Sequence, residues 1–181
     1  MHLNSVKLLT ITNITIVLCC LLFIIDGSIA NSIAILGMNF LFLKYNFFWQ
    51  PVSSMFVHGG LMHIVMNMVI LFQFGNMIEY RYGKMALFLL YYLGGIFTSL
   101  FSFLYLYSFD LFSHNIIGAS GAISVLIGFV AYVDISQRKA MIAWILAISF
   151  LPLILGLNIA WYAHIIGFAI GYVVGRFYET N

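Results

Sequence analysis

This sequence has very little charge: only 7% of its 181 residues are Asp, Glu, Lys or Arg, whereas 64% are apolar. A water-soluble domain of this length needs many more polar side chains to cover its surface, so a soluble globular protein is excluded. The formal net charge is only +2 and the chain contains no basic run, which argues against a nucleic-acid partner. The lipid bilayer is therefore the expected surrounding of most of the chain.

Cysteine is equally scarce, with Cys19 and Cys20 as the only two in the chain. Adjacent cysteines would form a strained disulfide, and two thiols alone do not complete a metal site. We interpret both as apolar filler and expect neither a metal nor a cofactor. The chain also lacks paired aspartates within its apolar segments and any H-E-x-x-H sequence, which argues against aspartyl and zinc intramembrane hydrolases.

The apolar residues fall into six segments, each close to the ~20 residues that cross a bilayer as a helix. Pro152 is expected to kink the fifth segment. The shorter apolar run 33–43 ends at Lys44, which predicts an interfacial segment inside a long external loop, 26–60. We predict an all-α membrane protein, a six-transmembrane-helix bundle forming one domain, 1–181, with spans at about 8–25, 61–78, 85–107, 116–133, 140–157 and 159–175.

The lysines and arginines predict the orientation of this bundle. With a cytoplasmic N-terminus, Lys44 is the only one of them on the external side. An excess of basic residues marks the cytoplasmic side, so we expect both termini to be cytoplasmic. The cytoplasmic basic residues are then Lys7, Arg81, Lys84, Arg138, Lys139 and Arg176. A cleaved secretory signal ending at Ser28-Ile29-Ala30 is the alternative; it would leave five spans, but the first apolar run is long for a signal.

Polar residues occur in the first turns of the second, fourth and sixth spans, all of which enter the membrane from outside. They are His63 and Asn67, Ser120, and His164. At a rise of 1.5 Å per residue, all lie within about 10 Å of the external boundary, so they can meet in one layer. A serine or an asparagine alone would be explained by helix association, but an unpaired imidazole in hydrocarbon costs several kcal/mol. The shared depth therefore indicates a functional site.

Small residues recur at every fourth position on the fourth and sixth spans. Such stripes allow two helix backbones to approach closely. We therefore expect these spans to touch, with the His164 imidazole against the Ser120 hydroxyl. The stripes are Ser120, Ser124 and Gly128 on span four, and Ala163, Gly167, Gly171 and Gly175 on span six.

The sequence Gly118-Ala119-Ser120-Gly121 places a serine at a helix start between two glycines, where backbone N–H groups are free to face an oxyanion. We predict Ser120 as a nucleophile and His164 as its general base. No carboxylate is placed to orient the histidine, so a dyad is expected rather than a triad. His63, Asn67, Gly118 and Ser120 are the predicted oxyanion-stabilising residues.

Together these segments resemble the rhomboid intramembrane proteases in their compact six-helix bacterial form, from about Trp49 to Gly175. This resemblance implies the same catalytic roles, and substrates that are transmembrane segments of other membrane proteins, cut near the external face of the cell membrane. It also implies structural roles for Trp49, His58, Glu79 and Arg81, with His58 anchoring the first external loop. The segments that carry the resemblance are His58-Gly59-Gly60-Leu61-Met62-His63 with Asn67, Glu79-Tyr80-Arg81, Gly118-Ala119-Ser120-Gly121, and Ala163-His164-Ile165-Ile166-Gly167 with Gly171.

Two positions depart from the family pattern. Gln50 follows Trp49 where the family usually has arginine, which predicts looser anchoring of the first loop. Ser124 stands where an aromatic residue often supports the histidine ring, which leaves the orientation of His164 open.

Three other functions compete with proteolysis. A catalytically silent rhomboid-like chaperone or adaptor would bind membrane helices, but it would be expected to lack the serine or the histidine. A small transporter or proton pathway could use His63 and His164, although the chain has no acidic relay within its spans. A haem protein would leave Ser120 and Asn67 without a role.

Overall fold

The computed structural model describes residues 10–26 and 31–179, where every regular element is a helix. This confirms the all-α class. Lys7 and the Ser28-Ile29-Ala30 sequence lie outside the described residues. The elements are α1 (Ile11–Asp26), α2 (Ser32–Leu36), α3 (Leu41–Lys44), α4 (Gln50–Ser53), α5 (Leu61–Tyr82), α6 (Lys84–Phe88), a π-helical turn (Leu89–Leu93), α7 (Gly94–Ser108), α8 (Ser120–Val133), α9 (Arg138–Ile154) and α10 (Trp161–Glu179).

Two of the described helical segments are long and apolar enough to cross a membrane on their own, Leu61–Tyr82 and the continuous Lys84–Ser108. They coincide with the spans predicted at 61–78 and 85–107. The shorter apolar helices are Ile11–Ile25 and Ser120–Val133. The number of six spans stays a prediction.

The fourth predicted span begins later than expected. Ile116 does not start a helix, because its backbone pairs with Met38 in an isolated antiparallel bridge, with both N···O distances at 2.9 Å. Gly118 then turns the chain at a φ of 101°, a conformation that favours glycine. Helix α8 therefore begins at Ser120 itself.

Helix α8 forms the centre of the bundle, since every residue from Ala122 to Ala131 is buried. Helix α10 packs along it at close range. A Cβ atom at Gly128 would overlap the carbonyl oxygen of Phe168, and one at Gly171 would overlap that of Val125. The predicted contact between the two small-residue stripes is therefore confirmed.

Glu79 and Arg81 lie at the end of α5 and join it to other elements. The Glu79 carboxylate accepts hydrogen bonds from the backbone N–H groups of Ile11 and Thr12 at 3.0 and 3.1 Å. A negative charge there stabilises the N-terminus of α1. Arg81 Nη1 lies 3.9 Å from the Asp134 carboxylate at the protein surface, where an ion pair adds little to stability.

The loop before α5 is anchored by Gln50, which is fully buried. Its side-chain oxygen accepts from the Asn39 N–H at 3.3 Å, and its nitrogen donates to the carbonyl oxygen of Ala34 at 3.1 Å. The neighbouring Trp49 donates its indole N–H to the Ile35 carbonyl oxygen at 3.0 Å. The Gln50 amide therefore anchors the loop by pairing directly with its backbone groups, and the looser anchoring expected from the loss of arginine stays a prediction.

Replacement of Gln50 by alanine is expected to destabilise the fold by about 1–3 kcal/mol, because buried backbone groups lose their partners. The measurement is the thermal unfolding midpoint in detergent, with Val52→Ala as the matched control, since Val52 lies on the same short helix but is 45% exposed. Equal midpoints for the two variants would show that Gln50 does not anchor the loop.

Candidate active site

Ser120 occupies the first position of α8, and the residues before it are held by the segment between α4 and α5. The Gly118 N–H donates to the Ser54 carbonyl oxygen at 2.8 Å. The Ala119 N–H donates to Nε2 of His58 at 3.4 Å. The start of α8 is therefore attached to the segment that leads into α5. Sequence reasoning missed Ser54, whose backbone carbonyl makes this contact and whose hydroxyl lies 3.2 Å from the Ser99 hydroxyl.

His164 lies opposite this serine on α10. Its Nε2 is 3.0 Å from the Ser120 Oγ, and its side chain is almost completely buried at 8% exposure. The glycines on α10 make this distance possible, because a Cβ at Gly167 would overlap the Gly121 carbonyl oxygen and lie 3.1 Å from Ser124 Cβ. The imidazole and hydroxyl that the sequence predicted to meet are thus within hydrogen-bonding distance.

His63 extends from the first turn of α5 over the turn that precedes Ser120. A Cβ added to Gly118 would lie 2.7 Å from the His63 Nε2, so only glycine leaves room for the ring. The backbone N–H of Gly59 donates to Nδ1 of His63 at 3.4 Å. In a neutral imidazole the other nitrogen then carries the proton. His63 therefore presents an Nε2–H donor toward the approach to Ser120.

Asn67 lies one turn further along α5 and is buried at 5% exposure. Its amide nitrogen donates to the carbonyl oxygen of His63 at 2.8 Å, which fixes the side chain along its own helix. One amide hydrogen is used in this bond, so a second remains for an oxyanion. The role predicted for Asn67 stays a prediction.

Gly118 was predicted among the oxyanion-stabilising residues, and this role stays a prediction. Its N–H is donated to the Ser54 carbonyl oxygen at 2.8 Å. Its lack of a side chain makes room for the His63 ring. The Ser120 N–H belongs to the first turn of α8, where no helical carbonyl is available to it.

His58 links two parts of the site. Its Nδ1 lies 3.0 Å from the carbonyl oxygen of Phe56, consistent with a protonated Nδ1 and with Nε2 accepting from Ala119. Its ring packs edge-on against His63, with centroids 5.2 Å apart. The resemblance implied only an anchor for the external loop, whereas these contacts also hold the chain just before Ser120.

The support of His164 differs from the family pattern. Ser124 offers no aromatic ring to the imidazole, and its hydroxyl donates to the Ser120 carbonyl oxygen at 2.7 Å. On the other side of the ring, Ser149 Oγ of α9 lies 3.5 Å from the His164 Nδ1. Sequence reasoning missed Ser149, which stands alone in an apolar span. No sequence signal identified it, because a single serine on an apolar helix is usually explained by helix association.

A small cavity of about 20 Å³ adjoins Ser120 and is also lined by Ser54, Thr98 and Ser99. This volume is close to what one water molecule needs, and the lining offers several polar groups. Within residues 10–26 and 31–179, no three His, Cys, Asp or Glu side chains come together as a metal site. The chemistry available to the site is that of a serine and a histidine.

Comparison with known proteins identifies relatives of this chain. The sequence model of one family, the Rhomboid domain, matches residues 45–180. RHOMBOID-like protein 4 of Arabidopsis thaliana is 34% identical over 136 residues, which cover 70% of this chain and 33% of that protein. Rhomboid protease GlpG of Yersinia pestis is 31% identical over 150 residues, 76% of this chain and 50% of that protein. Rhomboid protease GluP of Bacillus subtilis is 32% identical over 91 residues, 50% of this chain and 17% of that protein. The chain thus spans half or less of the length of these relatives.

Proposed function

The chain belongs to the rhomboid family, and on that basis we propose that it is an intramembrane serine endopeptidase that cleaves transmembrane segments of other membrane proteins. The single observation that carries this proposal is the 3.0 Å contact between the His164 Nε2 and the Ser120 Oγ. The family includes serine proteases of membranes, and two of the relatives are named rhomboid proteases. A catalytically silent relative has no need of this pair.

In the proposed reaction Ser120 Oγ attacks the carbonyl carbon of the scissile peptide bond while the His164 Nε2 accepts the hydroxyl proton. The resulting tetrahedral intermediate collapses as Nε2 returns that proton to the leaving amine, and the peptide C–N bond breaks. A water molecule then attacks the acyl ester by the same route and regenerates the free serine. Water can reach Ser120 by a short path, because the site lies at the start of α8.

The negative charge of the intermediate needs hydrogen-bond donors. The proposed donors are the Nε2–H of His63, which lies over Gly118, the backbone N–H of Ser120 at the start of α8, and the remaining amide hydrogen of Asn67. All three donors are held in place by helix backbone or by the turn at Gly118. Such fixed donors stabilise the transition state without reorganising.

The proposed setting is a bacterial cell membrane crossed six times, with both termini in the cytoplasm. The positive-inside distribution of lysine and arginine supports this orientation. Helices α5, α8 and α10 all start in the layer that contains His63, Ser120 and His164. That layer would lie beneath the external surface, so cleavage is proposed to occur near the external face.

The experiment that tests this function uses the purified full-length chain in detergent or liposomes with a generic transmembrane substrate. We expect the substrate to be cleaved into two fragments, which gel electrophoresis and mass spectrometry would detect. Substrate that binds but stays intact, with the protein shown to be folded, would contradict the protease and favour the helix-binding adaptor instead. Substrate movement across liposomes without cleavage would favour the transporter.

Replacement of His63 by alanine is expected to lower kcat by about 10²–10³-fold with little change in KM, because an oxyanion donor acts only in the transition state. His63→Gln retains an N–H donor and should lose less activity. The kcat and KM of wild type, His63→Ala and His63→Gln are compared by steady-state kinetics on the same transmembrane substrate. An unchanged kcat in His63→Ala would remove His63 from the site chemistry.

A further inference from the structure

The general base of this site has a neighbour on its far side that the proposed mechanism has not used. Ser149 of α9 is fully buried, and its Oγ lies 3.5 Å from the His164 Nδ1. The Nδ1 atom is the ring nitrogen that does not face Ser120. A buried hydroxyl in contact with this atom bears directly on which nitrogen of the ring carries the proton.

The direction of the Ser149 hydroxyl is set by its own helix. Its Oγ lies 2.6 Å from the carbonyl oxygen of Ile145, a short bond in which only the serine can be the donor. Because the single hydroxyl proton is used there, the Oγ faces His164 with a lone pair. The only hydrogen bond possible between the two side chains is from Nδ1–H to Oγ.

We propose that Ser149 is a positioning residue that holds His164 in the tautomer protonated on Nδ1. This tautomer leaves the Nε2 lone pair free to accept the Ser120 proton, as a general base requires. The inference deepens the proposed protease function and rests on it. Ser149 does not touch the reacting atoms, so it acts only through the imidazole. The bond is long at 3.5 Å, and such bonds commonly tighten when substrate is bound.

This role also explains how His164 is held without a carboxylate and without the aromatic residue that the family often has at the position of Ser124. No carboxylate contacts His164 among the described residues, and Ser124 is directed to the backbone of its own helix. The Ile145 carbonyl, Ser149 and His164 therefore form a chain of hydrogen bonds that ends at Ser120. Ser149 of α9 thus supplies the contact to His164 that Ser124 of α8 does not.

The test compares wild type, Ser149→Ala and Ser149→Thr for cleavage of a transmembrane substrate. Loss of a neutral hydrogen bond to the base is expected to lower kcat about tenfold in Ser149→Ala, with KM unchanged. Threonine keeps the hydroxyl and its bond to the i−4 carbonyl, so it should restore most of kcat. Ser108→Ala is the matched control, because Ser108 makes the same bond to Leu104 on an exposed part of α7.

A spectroscopic measurement separates tautomer control from simple packing. In protein labelled with ¹⁵N-histidine, the His164 nitrogen shifts should show a protonated Nδ1 in wild type and a mixture of tautomers in Ser149→Ala. Equal kcat in the wild type and Ser149→Ala, or identical nitrogen shifts, would overturn the inference while leaving the protease intact. Absence of cleavage by the wild type would overturn the protease itself, so the two failures are distinguishable.

Discussion

Cleavage is expected to fall by at least about 10⁴-fold when Ser120 is replaced by alanine, because the nucleophile is removed and, among the described residues, only the Ser120 hydroxyl is bonded to His164 Nε2. The neighbouring Ser124 cannot substitute, since its hydroxyl is bonded to the backbone of its own helix. His164→Ala should lose a comparable factor, because the two residues act as one unit. The measurement is the initial rate of substrate cleavage at matched enzyme concentrations.

The control for this prediction is the folded state of the two variants. Ser120 is only partly buried and its side chain is small, so alanine should leave the thermal unfolding midpoint close to that of wild type. Substrate binding should also survive in Ser120→Ala. Cleavage by this variant at more than about a hundredth of the wild-type rate would mean that another group is the nucleophile.

A single methyl group added at Gly171 is expected to cause the largest loss of stability and activity that arises from packing alone. The new Cβ would overlap the Val125 carbonyl oxygen, an atom of the α8 backbone that cannot rotate away. Overpacking of this kind typically costs about 1–3 kcal/mol. Helix α10 must also shift relative to α8, and a misplacement of about 1 Å between reacting groups costs about 10²-fold in rate. Gly171→Ala should therefore lower both the unfolding midpoint and kcat.

Gly60→Ala supplies the matched control for the same substitution. No atom lies within 4 Å of a Cβ at Gly60, and its φ of 166° is extended backbone that alanine adopts without strain. This variant should behave as wild type in thermal unfolding and in cleavage. If Gly171→Ala matched it in both measurements, the close contact between α8 and α10 would not be what brings His164 to Ser120.

The sequence predicted those parts of the site that repeat at helical spacing. Glycines four residues apart on a membrane helix such as α10 indicate that another helix packs closely against it. The serine of a Gly-Ala-Ser-Gly sequence marks a helix start. These patterns are local in sequence, so they are sufficient to predict the meeting of Ser120 and His164. The helix boundaries at Leu61–Tyr82 and Lys84–Ser108 also followed closely from hydropathy.

Contacts between elements distant in sequence could not be predicted in the same way. The donation of the Gly118 N–H to Ser54 depends on how the long loop before α5 packs against the start of α8, and no spacing rule encodes that. Gln50 differs from the family residue, yet its burial against Asn39 depends on the path of the loop. Ser149 has no motif around it and is recognised only when α9 is packed against His164.

The most direct test of the Ser120–His164 pair is the covalent product formed with a fluorophosphonate probe, located by mass spectrometry of the digested protein. The proposal predicts one phosphonyl group on the Ser120 Oγ in wild type and none in the folded His164→Ala variant, because the hydroxyl needs its base to react. Modification at another residue, or equal modification of Ser120 without His164, would contradict the claim that these two side chains form the catalytic pair.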